Sequence, residues 1–417
     1  VMSQGQTQHF YTSDRLSSNQ ITAICQDGRG YVWIGTEYGL NKYDGYRFTT
    51  YLYQEGNNHS VQSNNITSLF VDQQGNLWVG SSSGLTWYNS ANDDFERIDL
   101  PLKVSARSPR VNDIIQSSDH HLLVGTAGYG LFQLDIKTHK AVLLDGYASQ
   151  EDNDYFSHIL IDEEGNFWKA GSAPLISCRK NDQQHSIQTY ESPYGKVTKF
   201  LMYKGGVLMV CKYGLIFYRD RQFFPDFIDT SILGDENVQL RSAYYDNAGN
   251  LFIGTLGKGL CWVPRGSLQL QRYEYTSGSF DLSTSNVWAL YEDNQDNLWV
   301  DCLKRGLLLI PQKAPQFSTW SFSSQNVSIG GSVTSLCQGE DGILWCAVQN
   351  NGIYGFDVHG KIVAPPVSPS NTYSIFKDGQ GQYWLGTNKG LYGYNPMTGM
   401  YRKEVDFDSD YIDVMTD

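Results

Sequence analysis

"DQQGNLWVGSSSGL", residues 72–85, is the stretch of sequence that decides the fold, because the chain repeats it. Close variants stand at "DGRGYVWIGTEYGL" (27–40), "DEEGNFWKAGSAPL" (162–175) and "DGQGQYWLGTNKGL" (378–391). Self-similarity at an interval of about 45 residues is the signature of a repeated structural unit. A residue type that returns in every copy therefore belongs first to a shared scaffold.

Nine copies align on one large apolar position. The intervals between successive positions are 45, 45, 45, 41, 43, 47, 46 and 39 residues. The last seven residues, "YIDVMTD", match the opening of a tenth copy. The aligned residues are Trp33, Trp78, Leu123, Trp168, Met209, Phe252, Trp299, Trp345 and Trp384.

Each copy is predicted to form four antiparallel strands. A short apolar run such as "ITSLFVD" indicates a buried strand, and "DQQGN" indicates a turn in which Asp accepts backbone N–H bonds and Gly adopts positive φ. "LWVG" and "LTWY" supply two further strands around a second glycine, and "FERI" a looser fourth. No apolar stripe of helical period is found. The pattern predicts an all-β protein, a β-propeller built of four-stranded antiparallel blades.

The recurring tryptophan is interpreted as a spacer between blades. Sheets that radiate from an axis leave a wedge between them, and an indole at a fixed strand position fills it. The repeated Asp, Trp and Gly residues are accordingly assigned to the scaffold, and no catalytic residue is assigned. Chemistry is expected at positions that differ from one copy to the next.

Nine blades would be unusual in one ring, so the chain is predicted to divide. Pro311 and Pro315 interrupt strand pairing after the seventh copy, and "FSTWSFSSQNVSIGGSVTSLCQGEDG" echoes the N-terminal "FYTSDRLSSNQITAICQDGRG". Both segments are interpreted as the start of a ring that supplies the outer strand of its last blade. Residues 1–312 are predicted to form a seven-bladed β-propeller, and residues 313–417 the first blades of a second, incomplete one.

Composition excludes several classes of partner and site. The 417 residues carry 31 Lys and Arg against 44 Asp and Glu, a formal charge of −13, which argues against contact with nucleic acid or anionic lipid. The seven cysteines show no CxxC spacing and are predicted to be buried thiols. His120 and His121 have no further ligands at metal-binding spacing, so neither a metal nor a cofactor is expected. Without a run of about 18 apolar residues, the chain is expected to be soluble or the soluble piece of a longer protein.

The unit "IxxLxxDxxGNLWVGTxxGLxxY" resembles the two-component regulator propeller repeat of hybrid two-component systems from gut Bacteroides. The third and fifth copies depart, with Ser117 and Tyr203 in place of the turn Asp. The resemblance implies the periplasmic sensor region of an inner-membrane protein, with a second full propeller, a membrane anchor, and kinase and DNA-binding parts outside this chain. It also implies an oligosaccharide ligand, control of glycan-utilisation genes, and a homodimer in the full-length receptor.

Candidate ligand residues lie where the copies differ. In a propeller, the loops that lead into the first strand share one face with those joining the second and third strands. Basic and aromatic side chains on that face suit an acidic oligosaccharide, because rings stack on sugars and arginine forks bind carboxylate or sulfate. The candidates are Tyr38, Arg110, Tyr129, Lys212, Tyr213, Arg241, Lys258, Trp288, Lys304 and Arg305.

Two other classes of function remain open. One is a carbohydrate-active propeller enzyme, sialidase-like or lyase-like. "DQQGNLW" is loosely similar to the Asp-box turn of sialidases, and Arg110, Arg241 and Arg305 are candidates for an arginine triad. The Ser that usually precedes that Asp by two residues is Phe70 here, and no accompanying Tyr and Glu can be chosen from the sequence. The other class is a protein-interaction scaffold, which a broad apolar loop face would favour.

Overall fold

The structure is a computed structural model that describes residues 8–102, 108–145, 147, 155–234, 237–274, 276–277, 280–311, 332–339, 342–367 and 371–406. The chain divides into two compact units, Val1–Pro315 and Gln316–Asp417. Pro315 and the opening of a tenth copy at 411–417 lie outside the described residues.

The described residues are built almost entirely of β-strands. They form nine four-stranded antiparallel sheets and one two-stranded hairpin. The helical elements described are three 3-10 turns, Thr12–Asp14, Ser231–Leu233 and Leu282–Thr284. The predicted all-β propeller class is confirmed. In the described part of the chain, no helix is long and apolar enough to cross a bilayer.

Seven sheets belong to the first unit, and we number them 1 to 7 in chain order, with β1 (Gln8–Phe10) as the outer strand of sheet 7. Sheets 1 and 2 contain β2 (Ile21–Gln26), β3 (Val32–Thr36), β4 (Gly39–Tyr43), β5 (Phe48–Tyr51), β6 (Ile66–Val71), β7 (Leu77–Ser81), β8 (Gly84–Asn89) and β9 (Asp94–Ile98). Sheets 3 and 4 contain β10 (Val111–Ser118), β11 (His121–Thr126), β12 (Leu131–Asp135), β13 (Ala141–Leu144), β14 (His158–Ile161), β15 (Phe167–Ala170), β16 (Leu175–Arg179) and β17 (Ile187–Glu191).

Sheets 5 and 6 contain β18 (Val197–Tyr203), β19 (Gly206–Cys211), β20 (Gly214–Arg219), β21 (Gln222–Phe224), β22 (Gln239–Tyr245), β23 (Leu251–Leu256), β24 (Leu260–Val263) and β25 (Gln271–Arg272). A hairpin of β26 (Thr276–Ser277) and β27 (Phe280–Asp281) follows. Sheet 7 adds β28 (Val287–Glu292), β29 (Asn297–Cys302) and β30 (Gly306–Pro311) to β1.

The seven sheets follow one another around a closed ring. Their first strands, which are β2, β6, β10, β14, β18, β22 and β28, each contact the next, and β28 contacts β2. The chain's first strand completes the last sheet, because β1 pairs antiparallel with β30 from Gln8 opposite Leu309 to Phe10 opposite Leu307. This pairing covers the edge that β30 would otherwise expose.

The turn between the first two strands explains the repeated Asp and Gly. In sheet 2, Asp72 Oδ1 accepts the backbone N–H groups of Gln74 and Asn76 at 3.0 and 2.8 Å. Gly75 has φ +85°, a conformation that glycine adopts without strain. The other oxygen, Asp72 Oδ2, accepts the indole N–H of Trp78 at 2.9 Å, a bond that the sequence analysis did not foresee. The turn and the spacer therefore hold each other in place.

The repeated tryptophans of the first unit lie between sheets, as predicted. Trp33, Trp78 and Trp168 are completely buried, and Trp299 is 1% exposed. Each of three meets a tyrosine from the third strand of the next sheet at a steep angle, a favourable arrangement for aromatic rings. The centroid distances are 4.6 Å for Trp33 and Tyr88, 4.6 Å for Trp168 and Tyr218, and 5.6 Å for Trp299 and Tyr43.

The second unit has two described sheets of the same design. Its core contains Trp345, Ile353, Ile375 and Leu385, and Trp345 meets Tyr394 at a centroid distance of 5.6 Å. The strands are β31 (Val333–Gln338), β32 (Leu344–Val348), β33 (Gly352–Phe356), β34 (Ile362–Val367), β35 (Thr372–Lys377), β36 (Tyr383–Thr387), β37 (Gly390–Asn395) and β38 (Met400–Val405).

The cysteines are free thiols. Six are buried and Cys337 is partly exposed, which agrees with the prediction of buried thiols except at that position.

Candidate ligand site in the central channel

The ring of the first unit encloses a cavity of about 350 Å³, which we call the channel site. Its wall consists of residues on or immediately before the first strands of all seven sheets. The volume falls in the range of small-molecule sites, about 300–1,000 Å³.

In each of the seven copies of the first unit, two successive positions line this cavity. They lie five and four residues before the Asp of the first turn, or before the residue that replaces it. A regular strand would send them to opposite faces, but a β-bulge interrupts six of the seven first strands here. We call them inward positions 1 and 2. Position 1 holds Thr22, Thr67, Asn112, Ser157, Thr198, Arg241 and Trp288, and position 2 holds Ala23, Ser68, Asp113, His158, Lys199, Ser242 and Ala289.

Inward position 1 serves the scaffold in several sheets. Asn112 Nδ2 donates to the carbonyl of Phe156 in the next sheet at 2.9 Å. Thr198 Oγ1 donates to the carbonyl of Leu240, again one sheet further on, at 3.3 Å. Thr67 Oγ1 bonds the carbonyl of Val111 in the same manner. A short polar side chain at this position therefore links neighbouring first strands.

Five consecutive sheets depart from this pattern of small residues. Each of sheets 3 to 7 places one ionisable or aromatic side chain at an inward position, whereas sheets 1 and 2 place only Thr, Ala and Ser. The wall is thus one-sided, with functional groups along one arc and small residues along the other. We call the five side chains the channel arc: Asp113, His158, Lys199, Arg241 and Trp288.

Arg241 and Trp288 form the aromatic end of the channel arc. The guanidinium carbon of Arg241 lies 4.0 Å from the ring centroid of Trp288, within cation–π range. Arg241 is partly buried, and burial lowers the pKa of its guanidinium. Within the described part of the chain, Arg241 has neither a hydrogen-bond acceptor nor a carboxylate partner.

Asp113 and His158 form the other end. His158 Nδ1 lies 3.8 Å from Asp113 Oδ2, which also accepts the Ile159 backbone N–H at 3.0 Å. Burial raises the pKa of Asp113 to about 6, against the opposing effect of the Lys199 charge. Burial, and then the charges of Lys199 and Arg241, lower the pKa of His158 to about 3. His158 is therefore neutral at physiological pH. The carboxyl of Asp113 loses its proton at a pH of about 6, which lies below physiological pH.

The channel site differs in charge from the protein as a whole. Arg110, Lys199 and Arg241 face the cavity with one acidic side chain, Asp113. The chain carries a formal charge of −13. Such a local reversal of sign favours an anionic ligand over the rest of the surface. Among the described residues, no group of three or more His, Cys, Asp or Glu side chains is placed to hold a metal ion.

The structure brings together three of the ten residues proposed from the sequence. Arg110, Arg241 and Trp288 line the channel site. The other seven lie in the turns between second and third strands and do not line it: Tyr38, Tyr129, Lys212, Tyr213, Lys258, Lys304 and Arg305. Two of the suggested arginine triad thus share the cavity, whereas Arg305 donates to Ser285 Oγ at 3.2 Å.

Three residues of the channel arc were missed by the sequence analysis. Asp113, His158 and Lys199 lie inside runs that were read only as buried strands. A comparison of the copies at inward position 2 would have found them, because Ala and Ser occupy that position in the remaining four sheets of the first unit.

Comparison with known proteins identifies the repeat. Residues 15–38, 60–83, 281–303 and 366–389 match the family described as two component regulator propeller. The chain carries two-component regulator propeller repeats. The matched stretches of the first unit contain the inward positions of sheets 1, 2 and 7, including Trp288. No curated protein matches the chain.

Solved structures share the fold of these regulator propeller repeats. The extracellular domain described for a hybrid two component system of B. thetaiotaomicron is 23% identical with a TM-score of 0.63, covering 96% of this chain and 55% of its own. An extracellular domain described for a one component system of the same organism is 18% identical with a TM-score of 0.57, covering 95% and 53%. The chain therefore spans about half the length of both. Streptogramin B lyase is 10% identical with a TM-score of 0.55, covering 74% of this chain and 97% of its own.

Proposed function

We propose that this chain is the ligand-sensing, extracytoplasmic region of a hybrid two-component sensor kinase. It would lie in the periplasm, bind an oligosaccharide and control glycan-utilisation genes. The regulator propeller repeats support the signalling role, and similar solved structures are described as extracellular domains of such systems. Membrane anchoring, kinase activity and homodimer formation would depend on the full-length receptor.

One observation carries the binding role: the channel arc. Five consecutive sheets each present one ionisable or aromatic side chain to a cavity of about 350 Å³, against a wall of small residues. A scaffold alone does not need this asymmetry, because sheets 1 and 2 close the ring with small residues at the same positions. An aromatic ring beside hydrogen-bonding side chains is the combination that binds sugars, by stacking and by polar contacts.

The test is a binding screen of the chain with neutral and acidic glycan fragments, read both as melting temperature and as product formation. A ligand that binds only the native state raises the free energy of unfolding by RT ln(1 + [L]/Kd), and the melting temperature rises with it. A shift without product supports the sensor. Formation of new reducing ends would show that the chain is an enzyme instead. If no fragment changes the melting temperature or is cleaved, a protein-interaction scaffold is favoured.

A catalytic role is the second candidate, and one observation favours it. Asp113 and His158 are 3.8 Å apart, with pKa values moved to about 6 and about 3. Titratable pairs with displaced pKa values are a common feature of acid–base catalysis. Under this alternative, Asp113→Asn would abolish product formation while ligand binding persists.

A further inference from the structure

We propose that the channel site binds the acid group of its ligand, a carboxylate or a sulfate, between Arg241 and Lys199. The uncharged remainder of the ligand would lie against the small residues of sheets 1 and 2. This inference rests on the proposed binding function and adds the chemical class of the ligand and its orientation.

Arg241 has no counter-charge among the described residues. It is partly buried and has no carboxylate within salt-bridge distance there, whereas Lys199 is exposed and its charge acts on Asp113. Removing a guanidinium from water without a partner opposes folding, and a bound anion supplies the missing partner. The whole chain carries 44 acidic residues, yet none of those described forms an ion pair with Arg241.

The position of Arg241 against Trp288 leaves the guanidinium donors available to a ligand. The face of Trp288 holds Arg241 by a contact that uses no N–H donor. The donors of the guanidinium therefore remain for a ligand, and their fork matches two oxygens of a carboxylate or sulfate. Lys199 comes from the adjacent sheet and faces the same cavity, so a second cation is available to the same group.

One acidic side chain of the wall would oppose a bound anion. Asp113 is the one acidic side chain among the described residues of the wall. Its Oδ1 accepts the Ile114 backbone N–H and its Oδ2 the Ile159 backbone N–H, each at 3.0 Å, so the scaffold holds the carboxyl. In ring order Asp113 belongs to sheet 3 and Arg241 to sheet 6, with His158 and Lys199 on the two sheets between them.

The opposite wall indicates where the rest of the ligand lies. Thr22, Ala23, Thr67 and Ser68 bring no charge and no large side chain to sheets 1 and 2. Space on that side is therefore compatible with a sugar ring whose acid group points towards sheets 5 and 6. A ligand in the reverse orientation would place its acid group away from Arg241 and Lys199, where the cation of the wall is Arg110, which donates to Asn112 Oδ1 at 3.2 Å.

The experiment is calorimetric titration of the chain with matched probes. The probes are a uronate-containing disaccharide, a sulfated disaccharide, the neutral parent of each, glucuronate alone and inorganic sulfate. The variants are Arg241→Gln and Lys199→Gln, with Lys137→Gln, an exposed lysine at a distant turn, as the matched control. Circular dichroism and melting curves verify that each variant is folded.

We expect at least one acidic probe to bind and its neutral parent to bind at least tenfold more weakly. Arg241→Gln should weaken acidic binding by about ten- to hundredfold, the effect of one charged hydrogen-bonded contact, and leave neutral binding unchanged. Lys199→Gln should have a smaller effect in the same direction, and Lys137→Gln none. Preference for uronate or for sulfate identifies which acid group is bound.

Three results would overturn the inference. One is equal affinity for acidic and neutral fragments, which would leave the binding function intact. Another is acidic binding that Arg241→Gln does not change. The third is absence of binding by every acidic probe, the small anions included. If only the oligosaccharides fail while glucuronate or sulfate binds and requires Arg241, the anion subsite stands and the oligosaccharide function fails.

Discussion

The guanidinium carbon of Arg241 lies 4.0 Å from the ring of Trp288, and the two residues occupy the same repeat position in neighbouring sheets. In sheets 2, 3 and 5 that position holds a Thr or Asn that hydrogen-bonds the next sheet. In sheets 6 and 7 the scaffold bond is replaced by two large side chains that face a cavity. Substitution at a repeated structural position therefore distinguishes the proposed ligand site from the scaffold in this chain.

Substitution of a spacer tryptophan should strongly destabilise the ring. Trp33→Ala removes a completely buried indole, its contact with Tyr88 and its bond to Asp27 Oδ2. We expect a loss of about 3–5 kcal/mol in the free energy of unfolding. Chemical denaturation followed by tryptophan fluorescence measures it. Tyr46→Ala, which truncates a side chain that is 96% exposed, is the control and should change stability little.

The N-terminal strand should contribute to stability through Phe10. Its ring lies 5.3 Å from Phe48 and 5.9 Å from Trp299, so it joins sheet 7 to sheet 1. Phe10→Ala should lower the unfolding free energy by about 2–3 kcal/mol because these contacts are lost. Differential scanning calorimetry provides the measurement. Equal melting temperatures for Phe10→Ala and for the exposed Tyr11→Ala would argue against this role.

Removal of one buried carboxyl should stabilise the protein. Asp301 is completely buried, and neither of its side-chain oxygens has a hydrogen-bond partner. Gly or Ala occupies the equivalent position in most other sheets, as at Gly80 and Ala170. Asp301→Ala should therefore raise the unfolding free energy by about 1–3 kcal/mol, because an unsatisfied polar group is no longer buried.

The gain from Asp301→Ala should depend on pH. Burial raises the pKa of Asp301 well above its usual value. A raised pKa in the folded state means that the carboxyl opposes folding more strongly as pH rises towards that pKa. The stability difference between Asp301→Ala and the native chain should therefore grow from pH 5 to pH 8, and a constant or shrinking difference would contradict this account.

Acidic ligands should bind more weakly as Asp113 ionises. The pKa of Asp113 is about 6, raised by burial and opposed by Lys199. Below that pH the carboxyl is neutral, whereas above it a negative charge faces the same cavity as the ligand anion. His158, with a pKa of about 3, stays neutral across this range.

Titrations between pH 5 and pH 8 measure this dependence. The Kd of an acidic probe should rise as pH passes through about 6 in the native chain. In Asp113→Asn the Kd should be nearly independent of pH and close to the low-pH value of the native chain. A Kd that falls with rising pH would show that the ionised carboxyl assists binding.

The sequence predicts the scaffold well because the scaffold is repeated. Four strands, an Asp–Gly turn and a tryptophan spacer return in copy after copy, so each copy supports the reading of the others. The Asp72–Trp78 bond escaped prediction because it joins two residues that the sequence analysis had explained separately. The carboxylate of Asp72 both closes the turn and holds the indole of Trp78.

The site was only partly predictable because β-bulges change which residues face inward. Strand alternation places Thr198 and Lys199 on opposite faces, whereas the bulge lets both line the cavity. Candidate ligand residues were predicted in the variable turns, such as the one that holds Lys304, because loops commonly carry function. The variation that lines the channel lies instead within the first strands.

The most direct test is a crystal structure of the chain with the tightest-binding acidic fragment. The account predicts a ligand inside the channel, its carboxylate or sulfate within hydrogen-bond distance of Arg241, and its sugar ring towards sheets 1 and 2. A ligand held instead by Lys258, Lys304 or Arg305 in the outer turns, with the channel free of it, would contradict the account.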